Sequence, residues 1–69
     1  MKYAVVYEKS EDGFGAYVPD LPGCVALADT LREVEALIKE SVSFHIEGMR
    51  EDGIDVPEPT SRCDYIAID

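Results

Sequence analysis

His45 is the only histidine in this 69-residue chain, and histidine is the side chain most often used to move a proton near neutral pH. Ser41 lies one helical turn before it, a common helical neighbour rather than a nucleophile–base pair. No Ser, Cys or Asp is otherwise spaced to work with His45. It is expected to pack beneath a sheet, hydrogen-bonded to backbone or to a strand group. Cys24 and Cys63 both sit in apolar, strand-like runs and are expected to be small buried hydrophobes. Two cysteines make no secreted-type disulfide framework, and no Cys-x-x-Cys or Cys/His spacing offers a zinc site. Fifteen Asp+Glu raise the question of two-metal phosphoryl chemistry, which needs carboxylates converging on metals about 3.5–4 Å apart, one of them on a central strand. The first strand-like run has none in its middle, only Glu8 at its end, so the acidic residues read as solvated faces. Gly13 and Gly15 flank Phe14 without a Gly-x-Gly-x-x-Gly pattern, so no phosphate cradle is expected. The chain is read as a non-enzyme that needs no metal or cofactor.

Charge points to the kind of partner. Six Lys+Arg against fifteen Asp+Glu give a formal net charge of −9. Such a chain cannot release counterions from a phosphate backbone, which argues against direct nucleic-acid binding and favours a basic macromolecular partner. Residues 51–69 hold Glu51, Asp52, Asp55, Glu58, Asp64 and Asp69 against Arg62 alone. They form either a solubilising surface or a docking surface for a cationic protein. The residues expected to meet a partner are Glu40, Glu47, Glu51 and Asp55, on the acidic helix face and the segment after it. The apolar run at the amino terminus is too short for a signal peptide or a membrane span, so a cytoplasmic location is expected and no membrane partner.

The elements that position these residues follow from periodicity. Lys2 to Glu8 alternates as a strand with apolar residues on both faces, the mark of a central strand. Asp12-Gly13 predicts a hairpin turn. Phe14 to Val18 is a second strand ended by Pro19, and Pro19-Asp20-Leu21-Pro22-Gly23 is a stiff loop. Cys24 to Ala28 is a short third strand. Asp29-Thr30 opens a helix: Thr30 is the N-cap and Glu33, three positions on, completes a capping box, while Asp29 favours the positive end of the helix dipole. At 100° per residue Leu31, Val34, Leu37, Ile38, Val42, Ile46 and Met49 fall on one half of the helix. Arg32, Glu33, Lys39, Glu40, Glu47 and Arg50 fall on the other, and Gly53 is the stop signal. Pro57-Glu58-Pro59 enforces an extended connector, and Arg62 to Ile68 reads as a fourth strand.

The expected fold is α+β, in the order β-β-β-α-β. A right-handed crossover through the helix would place strand four beside and parallel to strand one, giving a four-stranded sheet of order 3-2-1-4 with one helix on one face. This is the opening half of a ribonuclease H-type fold. One helix leaves the other sheet face half-bare, and a domain this small buries only about 60% of its unfolded surface, so self-association is expected.

Several segments together resemble a known family. They are Asp12-Gly13-Phe14-Gly15-Ala16-Tyr17, Val18-Pro19-Asp20-Leu21-Pro22-Gly23-Cys24, Asp29-Thr30-Leu31-Arg32-Glu33, His45-Ile46-Glu47-Gly48 and Val56-Pro57-Glu58-Pro59. The chain resembles the HicB antitoxins, in a short form. The resemblance covers nearly the whole chain, and the Pro-Asp-Leu-Pro-Gly-Cys run before Asp-Thr is its most specific part. It implies a partial ribonuclease H-like domain over residues 1–69, without nuclease activity. It also implies neutralisation of HicA, a small basic toxin that cleaves messenger RNA with a histidine. Many members add a DNA-binding domain, which is not expected here. Ala28 stands where glycine commonly precedes Asp-Thr, and Val34 where alanine is common. Asp20, Pro22, Gly23, Asp29, Thr30 and Glu33 carry the family pattern and are read as loop geometry and capping. The alternative function is an oligomeric scaffold or regulatory module of the same fold without a toxin partner.

Overall fold

A computed structural model describes all 69 residues. Three strands, β1 (Val6–Ser10), β2 (Gly13–Tyr17) and β3 (Val25–Ala28), precede one helix, α1 (Leu31–Glu51). The strands form an antiparallel meander in the order β1-β2-β3. Ser10 pairs with Gly13 across the turn formed by Glu11 and Asp12. Gly13 has φ +143°, and a Cβ there would overlap the Ala28 carbonyl oxygen of β3. The turn and the close approach of β3 both select glycine at that position.

Two cross-strand sets define the faces. Tyr7, Ala16 and Ala26 pair across the sheet, as do Lys9, Phe14 and Ala28, and Ala16, Phe14, Ala26 and Ala28 pack in the core beneath α1. Val6, Tyr17 and Val25 pair on the opposite side with Gly15 and Leu27. That side carries no helix, and Val25 and Leu27 are exposed. The open face is thus the one carrying Val6, while Tyr3 and Val5 pack on the helix side.

The buried core is six residues: Ala16, Val18, Leu21, Cys24, Val34 and Ile38. Half of it comes from the loop between β2 and β3. That loop is tied by its own backbone. The Val18 N–H donates to the Cys24 carbonyl (3.2 Å), Leu21 N–H to Val18 (3.1 Å) and Cys24 N–H to Leu21 (3.1 Å), which turns the fully buried Leu21 inward.

α1 starts and stops as its sequence dictates. The Glu33 N–H donates to the Thr30 hydroxyl (3.2 Å), and that hydroxyl donates to Glu33 Oε1 (2.9 Å). The carboxylate therefore closes the capping box through the hydroxyl rather than the Thr30 amide. At the other end Gly53, at φ +70°, donates to the Arg50 carbonyl (3.2 Å), and Ile54 N–H donates to Met49 (2.8 Å). These two bonds form a Schellman motif, which needs a left-handed residue.

Four expectations are corrected. No fourth strand exists and the order 3-2-1-4 does not form: the sheet has three strands, and residues 62–68 are exposed and belong to none of them. The tail is held elsewhere before it could reach β1, as described below. β1 is an edge strand rather than a central one, and it begins at Val6 rather than Lys2. Its neighbour β2 ends at Tyr17, and Val18 turns to bond Cys24, so residues 2–5 have nothing to pair with. Cys24 is buried but Cys63 is exposed on the tail. Leu31 and Leu37, both assigned to the apolar half of the helix, are exposed.

Thr30→Ala is expected to destabilise the fold by about 1 kcal/mol, through loss of the cap. Gly13→Ala is expected to cost more, about 2 kcal/mol or above, because a left-handed φ and a backbone overlap add. Thermal melts of the two variants beside the parent test the size and the ranking.

Candidate partner-binding surfaces

The outer side of α1 is the first surface. Glu33, Leu37, Glu40, Phe44, Glu47 and Glu51 follow spacings of four and three residues, which places them within about 80° of one another. All six are exposed, Phe44 by 81%. The face is a row of carboxylates with two apolar side chains set among them. Of the residues expected to meet a partner, Glu40, Glu47 and Glu51 are brought together here. Asp55 is exposed but lies beyond the helix end, in the connector. Phe44 went unassigned on the helical wheel, although its spacing from Glu40 and Glu47 places it among the acidic residues.

The second surface is where the tail crosses the end of the sheet. Tyr3 Oη donates to the Pro57 carbonyl. Asp20 then accepts four hydrogen bonds: from Thr60 N–H (3.0 Å) and hydroxyl (3.1 Å), and from Ser61 N–H (2.9 Å) and hydroxyl (2.8 Å). The Ser61 N–H, followed by the Ser61 hydroxyl, holds the Asp20 carboxyl below the usual carboxylate range. Both Thr60 donors act in the same direction, against desolvation. Asp20 is thus more than loop geometry: it clasps the tail. The signal in the sequence was the pair of adjacent hydroxyl residues after Pro57-Glu58-Pro59, but nothing in the sequence says that they face Asp20. Pro22 and Gly23 are exposed in the same loop, and Asp29, Thr30 and Glu33 are exposed at the helix start.

The third surface is a shallow groove of about 440 Å³ between the free edge of β1 and the helix, lined by Tyr3, Val5, Tyr7, Ile38, Lys39 and Val42 among others. Burial, and then the Glu35 carboxylate nearby, push the Tyr7 phenol up.

The groups with chemical potential do not converge. His45 is half-buried, and its Nε2 is buried without a hydrogen-bond partner, so the expected bond to backbone or to a strand group does not form at that nitrogen. Burial raises the Cys24 thiol, which disfavours the reactive thiolate. No three His, Cys, Asp or Glu side chains are grouped to hold a metal ion, and no helix is long and apolar enough to cross a membrane.

These features define a small acidic α+β module with exposed apolar and charged surfaces. The chain belongs to the family described as HicB-like antitoxin of bacterial toxin–antitoxin system, whose model matches residues 3–68. It is 46% identical over 66 residues to an uncharacterized 14.9 kDa protein from the rep–hol intergenic region of Haemophilus phage HP1, a match covering 96% of this chain. The chain spans half the length of that phage relative. It is 44% identical over 48 residues to a UPF0150 protein of Archaeoglobus fulgidus, covering 68% of this chain and 70% of the relative. A chain in a solved structure of the HicA3 and HicB3 toxin–antitoxin complex superposes with a TM-score of 0.73 at 28% identity, covering 87% of this chain and 70% of that one.

Asp20→Ala is expected to free the tail while leaving the strands and helix folded. Hydrogen exchange should show the Thr60 and Ser61 amides losing protection while amides within α1 keep theirs. The pH dependence has a definite sign. A carboxyl lowered on folding stabilises fully above its ordinary value, about 3.9. That contribution disappears as pH falls through the lowered value. The Thr60 and Ser61 amide shifts should therefore stay flat at neutral pH and move only in acid.

Proposed function

We propose that the chain is an antitoxin that binds and neutralises a small basic toxin of the HicA type. On this reading it acts as one non-catalytic module in the cytoplasm, its partners being the toxin and a second copy of itself, with no direct contact to nucleic acid. The observation that carries the reading is the outer face of α1, where Phe44 stands 81% exposed between Glu40 and Glu47, in a chain of the HicB-like antitoxin family.

The face has the two components of a charge-steered interface. An exposed aromatic is the kind of anchor that supplies most binding energy once it fills a partner's pocket. The flanking carboxylates attract a cationic surface from a distance and set the association rate. A net charge of −9 spread over so short a chain adds to the attraction. Self-association is supported by the open sheet face, where Leu27 is 80% exposed beside Val25 and Tyr17; an apolar patch of this sort is commonly an interaction site.

Calorimetric titration with a purified HicA-type toxin tests the proposal. Binding is expected at low salt and should weaken as salt rises. Phe44→Ala should cost about 2 kcal/mol, roughly 30-fold in affinity. The double reversal Glu40→Lys/Glu47→Lys should slow association and flatten the salt dependence. Absence of binding at low salt would refute the antitoxin reading and favour the toxin-free scaffold. Binding indifferent to both variants would move the interface away from α1.

A further inference from the structure

We infer that Gly48 is the specificity-determining position of the α1 surface: the wall of the partner's pocket that takes up Phe44 seats on the bare helix backbone at Gly48, and that wall carries a cationic side chain. This rests on the toxin-binding reading of α1 given above and specifies how the partner approaches.

Nothing inside the chain calls for glycine at this position. Gly48 lies within α1, near its C-terminal end, and it is not among the glycines with positive φ. Its carbonyl accepts the Asp52 N–H (3.1 Å), an ordinary helical bond open to any residue. A Cβ added to it would meet no atom within 4 Å. Inside a helix glycine is the poorest choice after proline, so the chain forgoes helical stability where its own packing needs no gap. The other use of glycine is to let a second body come close to the backbone.

The gap adjoins the aromatic anchor. Four positions neighbour Phe44 on the helix surface, at spacings of three and four residues. Three of them, Glu40, Ser41 and Glu47, carry side chains, and Gly48 carries none. Gly48 lies about 6 Å further along the axis and about 40° around from Phe44. Side chains on a helix lean toward its N-terminus, so the Phe44 ring leans away from the gap. Phe44 is 81% exposed, and a pocket that encloses it must bring its wall down to the helix beside it. Gly48 is where that wall can reach the backbone.

Charge defines the wall. Glu47, Glu51 and Asp52 are exposed around the gap. Arg50, the basic residue of the last turn, lies about 160° around the helix from Gly48. A wall seated here meets three carboxylates and no cation, so complementarity requires Lys or Arg on it. An acidic wall is rejected by charge, and one too thick for the gap by shape.

Gly48→Ala tests this, because its effects on folding and on binding have opposite signs. The melting midpoint should rise by about 4 °C or more. Affinity for a purified HicA-type toxin, measured by calorimetry, should fall by about ten-fold, and Gly48→Leu should fall further with the helical circular dichroism intact. Ser43→Ala, exposed on α1 outside the acidic row, should leave affinity unchanged, which separates occlusion from helix stabilisation. In isotope-filtered NMR of the labelled chain with unlabelled toxin, the Gly48 Hα protons should contact the toxin. If Phe44→Ala weakens binding and Gly48→Ala does not, the seat at Gly48 is overturned and the antitoxin reading stands. A Gly48→Ala chain that melts lower than the parent would reveal an internal need for glycine and overturn the inference in the same way. A parent chain that fails to bind the toxin at low salt would overturn both.

Discussion

One dry layer, between one helix and one face of three short strands, holds this molecule together. Val34 and Ile38 reach down from α1, Ala16 reaches up from β2, and Val18, Leu21 and Cys24 fill the space at the end where β2 turns toward β3. No second layer exists, because the opposite sheet face has no helix to cover it. The loop with its two prolines is therefore a structural element of the same rank as a strand. Its backbone bonds turn Leu21 into the centre of the core, and the stiffness given by Pro19 and Pro22 lowers the entropy lost on fixing it.

Local chemistry was legible in the sequence and long-range placement was not. Thr30 and Glu33 cap α1, and Gly53 ends it, because those signals act within a few residues of where they stand. Gly13 marks the hairpin for the same reason. The fourth strand failed because alternation records only that a segment suits an extended conformation; whether it pairs depends on what lies beside it. Arg62 to Ile68 has the pattern, but the bonds between Asp20 and the residues just ahead of it send the chain elsewhere. Cys63 fell with the same strand. Leu37 and Phe44 show the limit of a half-circle drawn on a helix: the buried arc here is narrow, centred on Val34 and Ile38, since a small sheet can cover no more.

The surface joins two properties that usually oppose each other. A strongly acidic chain is kept apart from its own kind, while exposed Phe44, Leu27, Tyr65, Ile66 and Ile68 favour contact. The conflict disappears if the two act on different partners. On the proposed reading the carboxylates around Phe44 favour a cationic surface, whereas the exposed side chains of the open sheet face and the tail offer apolar area. Ionic strength then favours one kind of contact at the expense of the other.

The clasp at Asp20 has a consequence for how stability is distributed. The carboxylate belongs to the loop that supplies half of the core, and the donors it receives belong to the tail. Occupancy at the chain's end and cohesion of its interior are thus two faces of one thermodynamic linkage. Any ligand that captures the tail in this posture withdraws population from states in which the loop has opened.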